Sequence, residues 1–271
     1  MQSSFQYYES SLMSRGSLQN IMGTRFDCVI LGKDKTTSEK LWNEIITELK
    51  RLDKMLNRFD PDSEISFINS HAAQRPIVPS SELWDILCDC EIYYRKTAGL
   101  FDITLEDFSK VAFNRNEQSI LFLSPGLSLN LGAYAKGYAL KKIHAILTDT
   151  EVEQAFIDFG NSSILAVGHH PYGNSWKVSV ENPYKSGETL GEMDLKDTSL
   201  STSGNVPSYS KHIIRPDSGL YNDERKLVCV MIKNPVTAEI LSTALMIATP
   251  EEREKILKQF DVENIRIFNS L

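Results

Sequence analysis

Three short constellations carry oxygen and nitrogen groups at spacings that could do chemistry. Glu239 and Thr243 stand four apart in an apolar run of helical period, so both project from one face, with Ser242 adjacent. A carboxylate with hydroxyl oxygens suits a hard cation such as Mg²⁺, which takes oxygen ligands and keeps several waters. A surface glutamate beside a threonine bonded to its own backbone gives the same pattern more often. Gly132-Ala133-Tyr134-Ala135-Lys136-Gly137 is a small-residue turn opening a helix, with a lysine inside it. There, backbone N–H groups can approach an anion and the helix dipole helps, although the spacing is not that of a Walker loop. Asp102 follows Gly99-Leu100-Phe101 at a loop, where a carboxylate more often caps a turn than reacts. His212, in Lys211-His212-Ile213-Ile214-Arg215-Pro216, is the histidine with the strongest polar setting, and no zinc spacing exists.

The elements that must position these groups are legible in outline. Arg25–Leu31 reads as a strand closed by Gly32, and Thr37–Phe59 as a helix whose Leu41, Ile45, Leu49, Leu52 and Leu56 form one apolar stripe. Asp60-Pro61-Asp62-Ser63 is a turn, and Ser63–Asn69 a short helix. Ser80–Thr97 repeats the helical pattern and stops at Ala98-Gly99. Leu129–Gly132 reads as a strand end entering the helix Ala135–Leu147. Strands follow at Gln154–Val167 (broken at 160–163), Trp176–Glu181, Glu188–Leu195, Ser199–Ser203 and Lys226–Ile232. Helices at Ala238–Ile247 and Glu251–Phe260 precede a last strand at Asn264–Phe268. Residues 1–20 are polar and read as a poorly tied arm, with residues 21–271 as one domain. Uneven alternation with meanders predicts an α+β domain of mixed sheets and helices.

Composition narrows the partners. The 271 residues are 41% hydrophobic and 24% charged, ordinary for a globular chain. A net charge of −7, from 29 basic and 36 acidic residues, argues against nucleic acid, whose phosphates reward a concentrated positive field. Cys28, Cys88, Cys90 and Cys229 lack metal spacing and suit a reducing compartment. The N-terminus has no basic region followed by an apolar run, and no stretch approaches the ~20 apolar residues of a membrane span. These features predict a cytoplasmic protein.

Each constellation is weak alone, but their order along the chain resembles the FAD:protein FMN transferase (ApbE-type) family. Met22-Gly23-Thr24 resembles the family's opening Met-Gly-Thr, and Asp62-Ser63-Glu64-Ile65 with Asn69 its "dSel…lN" segment. Gly99-Leu100-Phe101-Asp102-Ile103-Thr104 is similar to "GxFDpT", and Leu129 to Tyr138 (LNLGAYAKGY) to "LDLGgiAKGy". Phe159-Gly160-Asn161 falls at "nxGGd". Ser201-Thr202-Ser203-Gly204-Asn205 resembles "aTSGdy", His212 to Gly219 "HiidPrtG", and Glu239 to Leu245 "DalaTAl". The ordered match runs from about Met22 to Ala248.

The resemblance implies a single α+β ApbE-like domain that binds FAD and Mg²⁺. It implies transfer of FMN from FAD to a threonine or serine hydroxyl of a target flavoprotein, with release of AMP. The acceptor is typically Asp-Gly-x-Ser/Thr-Gly-Ala-Ser/Thr. It assigns FAD contacts to Met22, Phe59, Leu100, Phe101, Asp102, Asn130, Lys136 and Ile213. It assigns the metal to the Ala133 carbonyl with Glu239, Thr243 and Ser242. Lys136 would place positive charge at the pyrophosphate, and Asp102 and His212 are the candidates for handling the acceptor proton. Two alternatives keep the fold: hydrolysis of FAD to FMN and AMP, or flavin binding without catalysis. Four acidic family positions differ. Asn130, the Asn161-Ser162-Ser163 segment and Arg215 replace aspartates, and Glu239 reaches about 1.5 Å farther than the aspartate it replaces.

Overall fold

The computed structural model describes residues 2–207, 213–269 and 271. The strands are β1 (Gln2–Tyr8), β2 (Met13–Ile21), β3 (Thr24–Leu31), β4 (Val111–Asn114), β5 (Ser119–Phe122), β6 (Gln154–Phe159), β7 (Ser163–Val167), β8 (Trp176–Glu181), β9 (Thr189–Leu195), β10 (Thr198–Gly204), β11 (Ile214–Arg215), β12 (Leu220–Tyr221), β13 (Lys226–Ile232) and β14 (Asn264–Asn269). The helices are α1 (Lys35–Leu56), α2 (Glu64–His71), α3 (Ser81–Lys96), α4 (Ala135–Asp149), α5 (Pro235–Ile247) and α6 (Pro250–Leu257).

Eight strands make one sheet in the order β1-β2-β3-β6-β7-β10-β13-β14, and every neighbouring pair is antiparallel. Helices cover one face and the β8–β9 hairpin covers part of the other. On β13, Val228 and Val230 pack with α5, while Leu227 and Cys229 pack towards Trp176 and Met193. Because successive side chains point to opposite faces, a strand covered on both sides must be apolar throughout, which is how KLVCVMI reads. The fold is the expected α+β arrangement, and all four cysteines are free. None of the described helices is long and apolar enough to cross a membrane.

The helices start where their caps say. Asp34 accepts the Thr37 N–H ahead of α1, Ser80 the Leu83 N–H ahead of α3, and Asn234 the Val236 N–H ahead of α5, with Pro235 at its first position. The α1 stripe is buried as its spacing requires, and the helix ends at Leu56, three residues before the expected Phe59.

Two segments differ from expectation. Residues 2–21 form β1 and β2 of the main sheet instead of a loose arm. Their signal is weak because two of the inward positions of β2, ahead of Leu18, are the small residues Ser14 and Gly16. Gly16 lies directly under the Trp42 indole, and the Phe5 ring stacks on that indole at 6.4 Å. Leu129–Gly132 is not a strand. Its backbone is satisfied instead by the Asn69 side chain, which accepts the Leu129 N–H at 2.7 Å and donates to the Leu129 carbonyl at 3.0 Å. The Asn130 N–H donates to the Ile103 carbonyl at 2.6 Å.

A Cβ at position 16 would lie 2.4 Å from two Trp42 ring atoms. Gly16→Ala is expected to lower stability by about 1–3 kcal/mol in urea unfolding. A loss below about 0.5 kcal/mol would show that the N-terminal hairpin does not depend on this contact.

Candidate functional site

Helices α4 and α5 approach so closely that no side chain fits at Gly137. A Cβ there would sit 2.5 Å from the Pro235 carbonyl oxygen and 2.8 Å from Glu239 Cγ. This contact sets Lys136 of α4 against Glu239 of α5. Glu239 is 4% exposed and stands in the middle of a helix buried nearly all round. Its Oε2 accepts from Lys136 Nζ at 2.8 Å. Its Oε1 accepts from Ser201 Oγ of β10 at 3.0 Å and from Ser163 Oγ of β7.

Hydroxyls continue from that carboxylate towards solvent. Ser242 Oγ lies 2.9 Å from Ser201 Oγ and 2.8 Å from Ser203 Oγ, and donates to the Glu239 carbonyl at 3.0 Å. Ser203 Oγ lies 3.3 Å from Thr243 Oγ1. Glu239, Ser163, Ser201 and Ser242 are buried, whereas Lys136, Ser203 and Thr243 are partly open, so the cluster has a buried floor and an accessible rim. With Ser162 Oγ, 3.3 Å from Ser163 Oγ, six hydroxyls bring six protons to seven contacts, so one contact has no proton of its own. An oxygen cluster short of protons beside a carboxylate attracts a hard cation. Its donors, oxygens throughout, fit Mg²⁺, and the Lys136 ammonium stands beside the carboxylate as a cation already in place. Among the described residues no group of three or more His, Cys, Asp or Glu could hold a metal, and Glu239 is the carboxylate that these hydroxyls contact.

The remaining expected residues fall in neighbouring loops. Ala133 is part-buried in the turn leading into α4. Asn130 Oδ1 accepts the Gly132 N–H at 3.0 Å, shaping that same turn. Leu100 and Ile213 are buried together in the cluster under α5, and Phe101 is buried edge-on to Tyr93. Asp102 is 6% exposed and both its oxygens are engaged. Oδ1 accepts the Thr104 N–H at 2.7 Å and hydroxyl at 2.6 Å, and Oδ2 the Phe108 N–H at 2.9 Å. In this structure it holds the loop closed. Met22 sits in the two-residue turn between β2 and β3 at φ +48°, where Gly23 follows at +75°, the left-handed pair such hairpins need. Phe59 is 81% exposed just beyond α1, its ring under the Arg58 guanidinium at 4.8 Å. His212 lies outside the described residues.

Sequence reasoning did not assign Ser163, Ser201 and Ser203. Their signal lay in the motifs at 161–163 and 201–205, but only sheet pairing (Ser201 opposite Ser163) and the packing of α5 show that they meet Glu239. Arg215 lies elsewhere. Its guanidinium donates to the Ile247 carbonyl at the end of α5 at 2.7 Å, and pairs with Glu252 at 2.6 Å and Asp217 at 3.0 Å. A cation suits the negative end of a helix, so its sign follows from this position and not from the Glu239 cluster.

The oxygen cluster lies where α4 and α5 pack against strands β7 and β10 of an antiparallel sheet, and this α+β architecture has known relatives. The ApbE family model matches residues 22–117 and 105–266, and the chain belongs to that family. Its relatives include the FAD:protein FMN transferase of Chlamydia muridarum, 25% identical over 267 aligned residues that cover 83% of this chain and 81% of that one. The FAD:protein FMN transferase of Haemophilus influenzae is 22% identical and covers 91% and 83%. The flavin transferase ApbE from Vibrio cholerae superposes with a TM-score of 0.79 at 21% identity, covering 94% of this chain and 93% of that one. The apo flavinyl transferase ApbE of Pseudomonas stutzeri gives 0.76 at 21% identity, covering 96% and 89%.

The Arg215 hydrogen bond, opposed by burial and aided by the Thr249 N–H, holds the Glu252 carboxyl down at about 2, from an ordinary 4.5. A depressed carboxyl stabilises the fold above its unfolded value and loses that contribution as pH falls through the folded one. Glu252→Gln is expected to be less stable than wild type at pH 7, with the gap closing between about pH 4.5 and 2. An unchanged gap at pH 2.5 would contradict the ion-pair account.

Proposed function

We propose that this chain transfers the FMN half of FAD to a threonine or serine hydroxyl of a target flavoprotein, with Mg²⁺ held at the Glu239 cluster. The observation that carries this reading is the proton-poor oxygen cluster with one buried carboxylate at its floor and one ammonium at its rim. Family membership and the curated relatives' activity support it.

In the reaction, the acceptor hydroxyl oxygen bonds to the phosphorus of the FMN half. The bridging P–O bond breaks, its oxygen leaves with AMP, and the hydroxyl proton is released. Mg²⁺, held by Glu239 and Thr243 with Ser242 and the Ala133 carbonyl, would draw charge from the pyrophosphate and stabilise the leaving phosphate. Lys136 supplies an ammonium for the pyrophosphate oxygens. Leu100, Phe101, Asn130 and Ile213 shape the loops that receive the nucleotide, and Met22 and Phe59 flank it at the end of α1. Asp102, with both oxygens engaged, serves by holding the Leu100–Thr104 loop. His212 is then the candidate for the acceptor proton. The four free cysteines fit work in a reducing, cytoplasmic compartment.

The test is an incubation of the protein with FAD, Mg²⁺ and a target domain bearing the acceptor motif, followed by target mass and AMP. A flavinylated target with equimolar AMP supports transfer. FMN and AMP without a mass gain would reassign the enzyme as a pyrophosphatase, and neither product would overturn both enzyme readings. Glu239→Ala, checked for folding by circular dichroism, is expected to lower metal-dependent turnover by more than about 100-fold. Unchanged turnover would remove the metal from this site.

A further inference from the structure

We infer that Lys136 is a resident cation that occupies Glu239 until a metal ion takes the carboxylate, so that metal and diphosphate enter as a coupled pair. The inference rests on reading Glu239 as the metal ligand. Lys136 Nζ and Glu239 Oε2 are 2.8 Å apart, with side chains 21% and 5% exposed, and Glu239 Oε1 is already filled by Ser201 and Ser163. The ammonium therefore holds the one carboxylate oxygen that faces the open rim.

Charge makes the two cations rivals. With Lys136 in place the pair is neutral, and a dication added beside it meets an ammonium within contact range in a poorly hydrated site. Among the described residues Lys136 and Glu239 pair only with each other, which leaves no second carboxylate in the pair to offset the added charge. Once displaced, Lys136 loses the one ion pair it makes among the described residues. It lies in the first turn of α4, at the positive end of the helix dipole, where a cation is disfavoured. An anion at that turn answers both problems. The diphosphate of FAD gives the ammonium a new partner and offsets the charge of the metal. A lysine suits this exchange, because its four-carbon stem can carry the ammonium from one oxygen to another without backbone movement. The close contact at Gly137 meanwhile keeps α4 and α5 fixed.

The exchange predicts that Lys136 opposes metal binding when no nucleotide is present. The measurement is Mn²⁺ binding to the flavin-free full chain, read from the electron paramagnetic resonance of free Mn²⁺, with no nucleotide added. Lys136→Met is expected to bind Mn²⁺ about 5- to 150-fold more tightly than wild type, the usual range of coupling between sites. Lys136→Arg, which keeps the charge, is expected to resemble wild type. If Lys136→Met does not fold, as judged by circular dichroism, Lys136→Gln keeps a donor to Glu239 without the charge and carries the same expectation. Equal or weaker Mn²⁺ binding by the neutral variant would overturn the inference. Glu239→Gln separates this failure from failure of the site. Loss of Mn²⁺ binding in that variant leaves the metal at Glu239 and rejects only the exchange, whereas undiminished binding rejects the metal assignment and the exchange with it.

Discussion

A carboxylate that is 4% exposed must be compensated where it stands, and the compensation of Glu239 organises this molecule. A buried charge left without partners costs on the order of 3–5 kcal/mol, so each element around it is constrained. Strand β7 brings Ser163, β10 brings Ser201, and α4 brings Lys136. The absence of a side chain at Gly137 lets α4 come close enough, and the antiparallel register of β7 and β10 sets the two serines side by side. The same residues that pay this electrostatic debt make the oxygen-rich cluster, so the requirement of folding and the proposed cation site share one origin.

The departures from the family's acidic pattern have different physical meanings. Asn130 uses its carboxamide oxygen to shape a turn, a task that does not need charge. Arg215 closes the C-terminal end of α5 and binds Glu252, outside the Glu239 cluster. Ser163 and Glu239 touch each other. An aspartate at 163 would set a second negative charge against a buried carboxylate, whereas a hydroxyl donates to it. The longer reach of Glu239 and the neutral donor at 163 are thus two halves of one arrangement. Its consequence is a cluster with a single carboxylate, balanced in this structure by the Lys136 ammonium.

Much of the fold was legible in the sequence, and particular residues show why. The stripe from Leu41 to Leu56 and the cap at Ser80 are local signals, so α1 and α3 were readable to within a few residues, while α5 was read from Ala238, past its Asn234 cap. The first two strands were hidden because Gly16 exists to fit beneath Trp42, a contact made across the sheet. The segment at Leu129 reads as a strand but pairs with one side chain, Asn69, sixty residues away. The site was half legible. Glu239, Ser242 and Thr243 share a helical spacing and Lys136 lies in its turn, signals weak by themselves that became site candidates only through the family resemblance. Ser163, Ser201 and Ser203 join them only through strand pairing, which no local pattern encodes, and the engagement of both Asp102 oxygens is visible only once the loop is folded.

The most direct measurement is anomalous diffraction from crystals of this chain grown with FAD and Mn²⁺. The account predicts an anomalous peak bounded by the Glu239 carboxylate and the Thr243 hydroxyl, with the diphosphate beside it and Lys136 turned from the carboxylate to the phosphate oxygens. A bound FAD with the Lys136–Glu239 pair intact and no metal between α4 and α5 would contradict it.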